Sequence, residues 1–112
     1  YAVTQLFYDN EKYFQFVERA RQAGITMPII PGIKPMAKLS QFNVLPKTFH
    51  LDLPEVLSKE MEKCKTDAEM KQLGIEWGIS QCKELMQHHV PSIHFYSMGV
   101  TESIREIAKE IY

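Results

Sequence analysis

Gln5 interrupts the apolar run Val3 to Tyr8 (Val-Thr-Gln-Leu-Phe-Tyr), and a polar side chain midway along a strand with two buried faces is anomalous. Its amide is uncharged and both donates and accepts hydrogen bonds, which suits the polar edge of a heterocycle better than proton transfer. Alternatively, internal hydrogen bonds or water satisfy it inside the core. His94 and Tyr96 lie two apart in Ser92 to Met98, so they share one face of a strand, opposite Ile93 and Phe95. Tyr96, nearer the carboxyl end, is the better placed for a ligand. His94 reads as a buried histidine held by hydrogen bonds, with general acid or base chemistry as the alternative. His88 and His89 are adjacent, and facing positions on a helix are three or four apart, so the pair reads as imidazoles at a helix carboxyl end rather than as ligands of one metal. Cys64 and Cys82 stand isolated and read as free thiols packed on helices.

These residues need a frame to hold them. Strands are expected near 3–8, 27–31 and 92–98, the middle one being a short β-branched run closed by Pro31-Gly32. Asp9 or Asn10 can cap a first helix whose Tyr13, Phe16, Val17 and Ala20 make one apolar face, and Gly24 suits its left-handed end. Between Ile33 and Pro54 the prolines and the absence of a period predict a long loop. Pro54 then opens a helix to about Lys63 with Val56, Leu57, Met61 and Cys64 inward. Thr66-Asp67-Ala68-Glu69 fits a capping box, and the longest helix follows from about Asp67 to Gln87. Ile75, Ile79, Cys82 and Met86 form its stripe, while Gly74 and Gly78 permit close approach of a neighbour. Trp77 belongs at its edge. Thr101 caps a last helix with Ile104, Ile107, Ala108 and Ile111 buried.

Strands joined by helical crossovers run parallel, so the pattern predicts α/β structure in parallel (β/α) units, part of a doubly wound sheet or of a (β/α)8 barrel. A barrel of typically ~250 residues gives ~30 to each unit, so three units and a long loop fit 112 residues. With 45% hydrophobic and 24% charged residues the composition is that of one globular domain over 1–112. Thirteen basic against fourteen acidic residues, with no basic stripe, argue against nucleic acid as a partner. No apolar stretch approaches the ~18 to 20 residues that span a bilayer, so no membrane partner and a cytoplasmic location are expected. The chain begins with Tyr1 and a strand follows at once, as expected of a piece of a longer protein.

Four blocks together resemble methylenetetrahydrofolate reductase: Thr-Gln-Leu-Phe-Tyr-Asp at 4–9, Pro-Ile-Ile-Pro-Gly-Ile-Lys-Pro at 28–35, the Asp67-Ala68 helix start leading to Gly74-Ile75-Glu76, and His-Phe-Tyr-Ser-Met at 94–98. They occur in order over essentially the whole chain. The resemblance implies the carboxyl-terminal three units of a flavoprotein (β/α)8 TIM barrel. It further implies an enzyme in which NADH or NADPH reduces FAD, and the reduced flavin converts 5,10-methylenetetrahydrofolate to 5-methyltetrahydrofolate in one-carbon and methionine metabolism.

By the same resemblance Gln5 is the glutamine that hydrogen-bonds the pterin of the folate substrate, and Tyr96 is a substrate-contacting tyrosine. Gln41 falls where bacterial members contact folate, and Leu45 where an apolar residue covers the folate or nicotinamide ring. Family members often continue the last strand with Leu-Asn-Arg, whereas Met98-Gly99-Val100 stands here, so an arginine contact is missing. The catalytic acids and nearly all FAD contacts belong to earlier strands, so no catalytic residue is expected within 1–112 and the fragment alone is expected to be inactive. Unpaired strand edges and an uncovered interior face bearing Val3, Phe7 and Ile30 predict a homo-oligomer of the isolated chain. A phosphate-handling barrel enzyme remains an alternative, though Pro31-Gly32-Ile33 and Ser97-Met98-Gly99 are poor anion loops. A non-catalytic α/β interaction module is another.

Overall fold

The computed structural model describes residues 1–38, 54–96 and 101–112. Among these residues the elements follow in the order β1 (Ala2–Leu6), α1 (Asn10–Gln22), β2 (Ile29–Ile33), α2 (Glu55–Lys63), α3 (Asp67–Gln87), β3 (His94–Phe95) and α4 (Thr101–Ile111). The strands form one parallel sheet in the order β1-β2-β3. The parallel α/β pattern expected from the strand-helix alternation is therefore present.

Helix ends are set by local chemistry. Asp9 caps α1 by accepting the Glu11 backbone N–H at 3.0 Å. At the other end Ile25 N–H donates to the Ala20 carbonyl (2.9 Å) and Gly24 N–H to that of Arg21 (3.1 Å), with Gly24 at φ 85°. That is a Schellman motif, which requires the left-handed conformation glycine adopts without steric cost. The end of α3 repeats it with His89 at φ 58°: Val90 N–H reaches the Leu85 carbonyl and His89 N–H that of Met86. Histidine is among the residues that tolerate this conformation. His88 lies against the Phe14 ring, centroids 4.2 Å apart. The adjacent histidines thus terminate a helix, and among the described residues no cluster of three His, Cys, Asp or Glu could hold a metal ion. Thr66 accepts the Glu69 backbone N–H (3.2 Å) while its hydroxyl donates to the Glu69 carboxylate (3.3 Å), so α3 starts where the capping box placed it.

The strands differ from expectation at their ends. β1 stops at Leu6 rather than near Tyr8, because Phe7 and Tyr8 leave the ladder to meet α3. β2 runs from Ile29 to Ile33, so Pro31-Gly32 lies inside the strand rather than closing it. Pro31 shares its parity with Ile33, whose carbonyl accepts from Tyr96 N–H on the β3 side (2.9 Å). Pairing with β3 begins only at Gly32–His94, so the donor that Pro31 lacks is not needed. β3 pairs over His94–Phe95 alone, and positions 97–98 of the expected strand lie outside the described residues.

Two apolar clusters hold the layers together. Tyr13, Ala20, Ile29, Ile33, Cys82, Leu85 and Ile107 are buried between the sheet and α1, α3 and α4. Leu6, Tyr8, Met36, Leu57, Met61 and Met70 fill the carboxyl end of the sheet under α2 and α3. Phe7 stacks on Tyr13 with ring centroids 5.5 Å apart, so it belongs to the helix-side layer and not to an uncovered interior face. Three residues assigned to buried helix faces are exposed instead: Phe16 (49%), Val56 (67%) and Met86 (40%). Phe16 lines a groove beside β1, the edge strand among the described residues. Cys64 and Cys82 are free thiols, and burial pushes the Cys82 thiol up to about 12, so it is no nucleophile at neutral pH. No described helix is long and apolar enough to cross a membrane.

The two glycines of α3 serve close approach. A Cβ on Gly74 would overlap the backbone of Met36, whereas one on Gly78 would meet the Ile107 side chain, nearest at its Cδ1 methyl (2.6 Å). A side-chain methyl can rotate away; a backbone carbonyl cannot. Gly74→Ala is therefore expected to destabilise the protein by about 1 to 3 kcal/mol despite the better helix propensity of alanine, and Gly78→Ala by clearly less. Urea denaturation of both variants checks the ranking, and equal midpoints would contradict it.

Candidate substrate-binding site at the first strand

Thr4, Gln5, Gly32 and Tyr96 meet where the β1–β2 ladder is irregular. Ala2 pairs with Ile29 and Val3 with Ile30, but Leu6 pairs with Gly32, so β1 spends one residue more than β2 between those points. Such a bulge leaves backbone groups without ladder partners. Side chains supply them: Gly32 N–H donates to Thr4 Oγ1 (2.9 Å), and the Tyr96 hydroxyl donates to the Thr4 carbonyl (2.8 Å) from across β2. Tyr96 can pass over β2 because position 32 has no side chain. A Cβ there would lie 2.7 Å from Tyr96 Cε2 and 2.6 Å from the Thr4 oxygen.

The carboxyl end of β1 is tied down in the same manner. Gln81 Nε2 donates to the Phe7 carbonyl (3.0 Å) and Trp77 Nε1 to that of Tyr8 (2.9 Å), both from α3. The Tyr8 hydroxyl in turn donates to the Lys34 carbonyl (2.8 Å). Burial raises the Tyr8 phenol well above the ordinary tyrosine range, so it stays a proton donor. Asn10 Nδ2 joins the start of α1 to α3 through the Gln81 carbonyl (3.0 Å) and Glu84 Oε1 (2.8 Å).

Gln5 is exposed rather than buried in a core. It lines a groove of about 400 Å³ along the outer side of β1, with Val3, Phe7, Lys12, Tyr13 and Phe16 among its walls. The groove is largely apolar and aromatic, and the Gln5 amide adds a donor and an acceptor. Tyr96 is half-buried, its hydroxyl proton committed to the Thr4 carbonyl, whose peptide group leads into Gln5. Backbone geometry thus joins these two residues. Gln41 and Leu45 lie outside the described residues. His94 is exposed, contrary to the buried histidine expected, because β3 is the last strand of the sheet and nothing described flanks its outer side. Its ring meets that of Tyr96 edge-on, centroids 4.7 Å apart. The parts that Thr4 and Gly32 play in this arrangement were not read from the sequence, although a glycine inside a strand run is itself a signal of close backbone approach.

Fold and site together define an α/β protein with parallel strands and a polar constellation at the first of them. A family model described as methylenetetrahydrofolate reductase matches residues 1–112, and the chain belongs to that family. It is 36% identical over 113 residues to the probable methylenetetrahydrofolate reductase (NADPH) of Caenorhabditis elegans, covering 99% of this chain and 17% of that protein. Methylenetetrahydrofolate reductase (NADH) 1 of Arabidopsis thaliana is 35% identical over 102 residues, 90% of this chain and 17% of its own length. The 5,10-methylenetetrahydrofolate reductase of Salmonella typhimurium is 33% identical over 102 residues, 90% of this chain and 34% of that protein. The chain therefore spans between about a sixth and a third of these relatives' lengths. A solved structure, an uncharacterized protein from Clostridium thermocellum that binds two copies of 5-methyl-5,6,7,8-tetrahydrofolic acid, has the same fold over 96% of this chain and 41% of its own, with TM-score 0.54 and 16% identity.

The space above Gly32 makes the site sensitive to one methyl group. Gly32→Ala is expected to cost about 1 to 3 kcal/mol by overpacking, and Tyr96→Leu in the same protein should recover part of that loss by removing the ring in the way. Urea midpoints of the two single variants and the double variant give the coupling; strictly additive losses would show that the ring is not the obstacle.

Proposed function

We propose that this chain is the carboxyl-terminal, folate-facing part of a (β/α)8 barrel in a methylenetetrahydrofolate reductase that reduces 5,10-methylenetetrahydrofolate to 5-methyltetrahydrofolate at the expense of NADH or NADPH. The observation that carries this is the family match over all 112 residues. The relatives' names supply the folate reaction and the nicotinamide reductants. The barrel is supported by three parallel strands in sequential order, joined by helical crossovers. A folate partner is in keeping with the tetrahydrofolate bound by the Clostridium thermocellum protein.

Within that reaction the part assigned to this chain is recognition. Gln5 presents a donor and an acceptor, the complement of the alternating donors and acceptors along the pyrimidine edge of a pterin. Tyr96 belongs to the same site through Thr4, and Gln41 and Leu45 are assigned to it by resemblance alone. No residue of the chain is assigned a catalytic role.

The described residues do not by themselves fit FAD. The pyrophosphate of a dinucleotide wants several convergent N–H donors, as at a glycine-rich turn entering a helix. The groove beside β1 has apolar walls, and Asp9 and Glu11 stand at the start of the helix that follows that strand. The flavin is accordingly assigned to strands outside this chain. The isolated chain is expected to associate through its exposed β1 edge and to take up no FAD. Flavin fluorescence titration with light scattering checks both, and tight stoichiometric binding to a monomer would overturn them.

Gln5→Glu in the full-length protein replaces a donor and acceptor by a charged acceptor. Losing one hydrogen bond at a polar site costs about 1 to 3 kcal/mol, so the folate half-reaction should fall roughly ten-fold to a hundred-fold while flavin content is unchanged. Stopped-flow measurement of the two half-reactions decides the matter: wild-type folate kinetics would remove Gln5 from the site.

A further inference from the structure

Tyr96 and Thr4 are 92 positions apart, yet one hydrogen bond joins them. The Thr4 carbonyl and the Gln5 N–H belong to one peptide group, and that group is planar. Fixing the direction of the carbonyl therefore fixes the N–Cα bond of Gln5, and the return of β1 to register at Leu6–Gly32 restricts the rotation about that bond that sets where its side chain leaves the strand. Two hydrogen bonds hold Thr4, one from Tyr96 to its carbonyl and one from Gly32 to its hydroxyl. The Tyr96 ring is itself held between Gly32 and the edge-on ring of His94.

The geometry points to Tyr96 as a positioning residue: its hydroxyl clamps the Thr4–Gln5 peptide so that the Gln5 amide is presented to the pterin, and it does not donate to the substrate itself. This rests on the folate reading of Gln5 given above. A hydroxyl has one proton, and that of Tyr96 is committed to the Thr4 carbonyl at 2.8 Å. Directing it to a ligand would take this donor from the Thr4 carbonyl at the irregular stretch of the ladder. Thr4 acts with Tyr96, because its own hydroxyl orients the same residue against β2.

The test is a double-mutant cycle in the full-length protein, with 5-methyltetrahydrofolate as the binding probe. Tyr96→Phe keeps the ring over Gly32 and removes the hydroxyl, and is expected to weaken binding about ten-fold, as is typical of one lost hydrogen bond. In a Gln5→Ala background the same substitution should change binding less than two-fold, because the clamp then has nothing to aim. Thr4→Val removes the second tie while leaving Tyr96 in place, and should show the same dependence on Gln5. Equal losses with and without Gln5 would make Tyr96 a direct contact or a general structural residue and overturn the proposal, as would wild-type binding by Tyr96→Phe. If Gln5→Ala alone binds folate as well as wild type, the folate reading of Gln5 fails and takes the proposal with it; in every other outcome that reading stands.

Discussion

The structure depends on finding partners for the backbone carbonyls of β1. A buried carbonyl without a donor costs about as much as a lost hydrogen bond, and a strand that bulges or ends beneath packed helices produces several. Here side chains from distant elements answer them one by one. Tyr96 serves Thr4, Gln81 serves Phe7, Trp77 serves Tyr8, and Tyr13 serves Ile29 on the neighbouring strand at 2.7 Å. Three of these four donors, Tyr96, Trp77 and Tyr13, are aromatic, so the group that satisfies a carbonyl also fills the layer between sheet and helix. The polar and apolar parts of the fold are therefore not separable: removing any one donor opens a gap and orphans an acceptor together.

Helix α3 is the element through which most of this passes. Trp77 and Gln81 lie four apart on it and reach successive carbonyls of the chain leaving β1. Gly74 lets it come down onto the backbone at Met36, and Gly78 admits Ile107 of α4. Two glycines weaken a helix by about 0.8 to 1 kcal/mol each relative to alanine. The close approach they permit brings the donors of α3 within hydrogen-bond range of the sheet, which a bulkier face would hold off. Loss of intrinsic helix stability is thus offset by tertiary contact.

Much of the frame was legible because it is encoded locally. Asp9, Gly24 and the Thr66–Glu69 box mark helix ends by interactions that span a few residues, and the bounds of α3 follow from them. Strand ends were less legible. Pro31-Gly32 carries the signature of a stop, but whether a proline ends a strand depends on which neighbour its missing N–H would have faced, and that is a property of the sheet. The expected burial of Gln5 and His94 assumed cover on both faces of every strand. Among the described residues that cover is lacking beside the first and last strands, and both side chains are exposed. The partner of Tyr96 was not legible, since nothing local announces a hydrogen bond between residues 92 positions apart.

The bulge in β1 connects these points. In a regular parallel ladder every peptide group of the strand is spent on its neighbours, and side chains alternate strictly between faces. Spending three residues of β1 against two of β2 breaks that alternation at Thr4 and Gln5, the positions where the sequence departs from an apolar run. The extra residue frees a peptide group to be oriented by something other than the ladder. A lone freed peptide would be loose, and a loosely held amide recognises nothing sharply, because its ordering must then be supplied at binding. The hydroxyls of Thr4 and Tyr96 remove that looseness in advance, one from within the bulge and one from the far side of β2. Gly32 is the residue that permits it, since any side chain at that position would stand where the Tyr96 ring crosses.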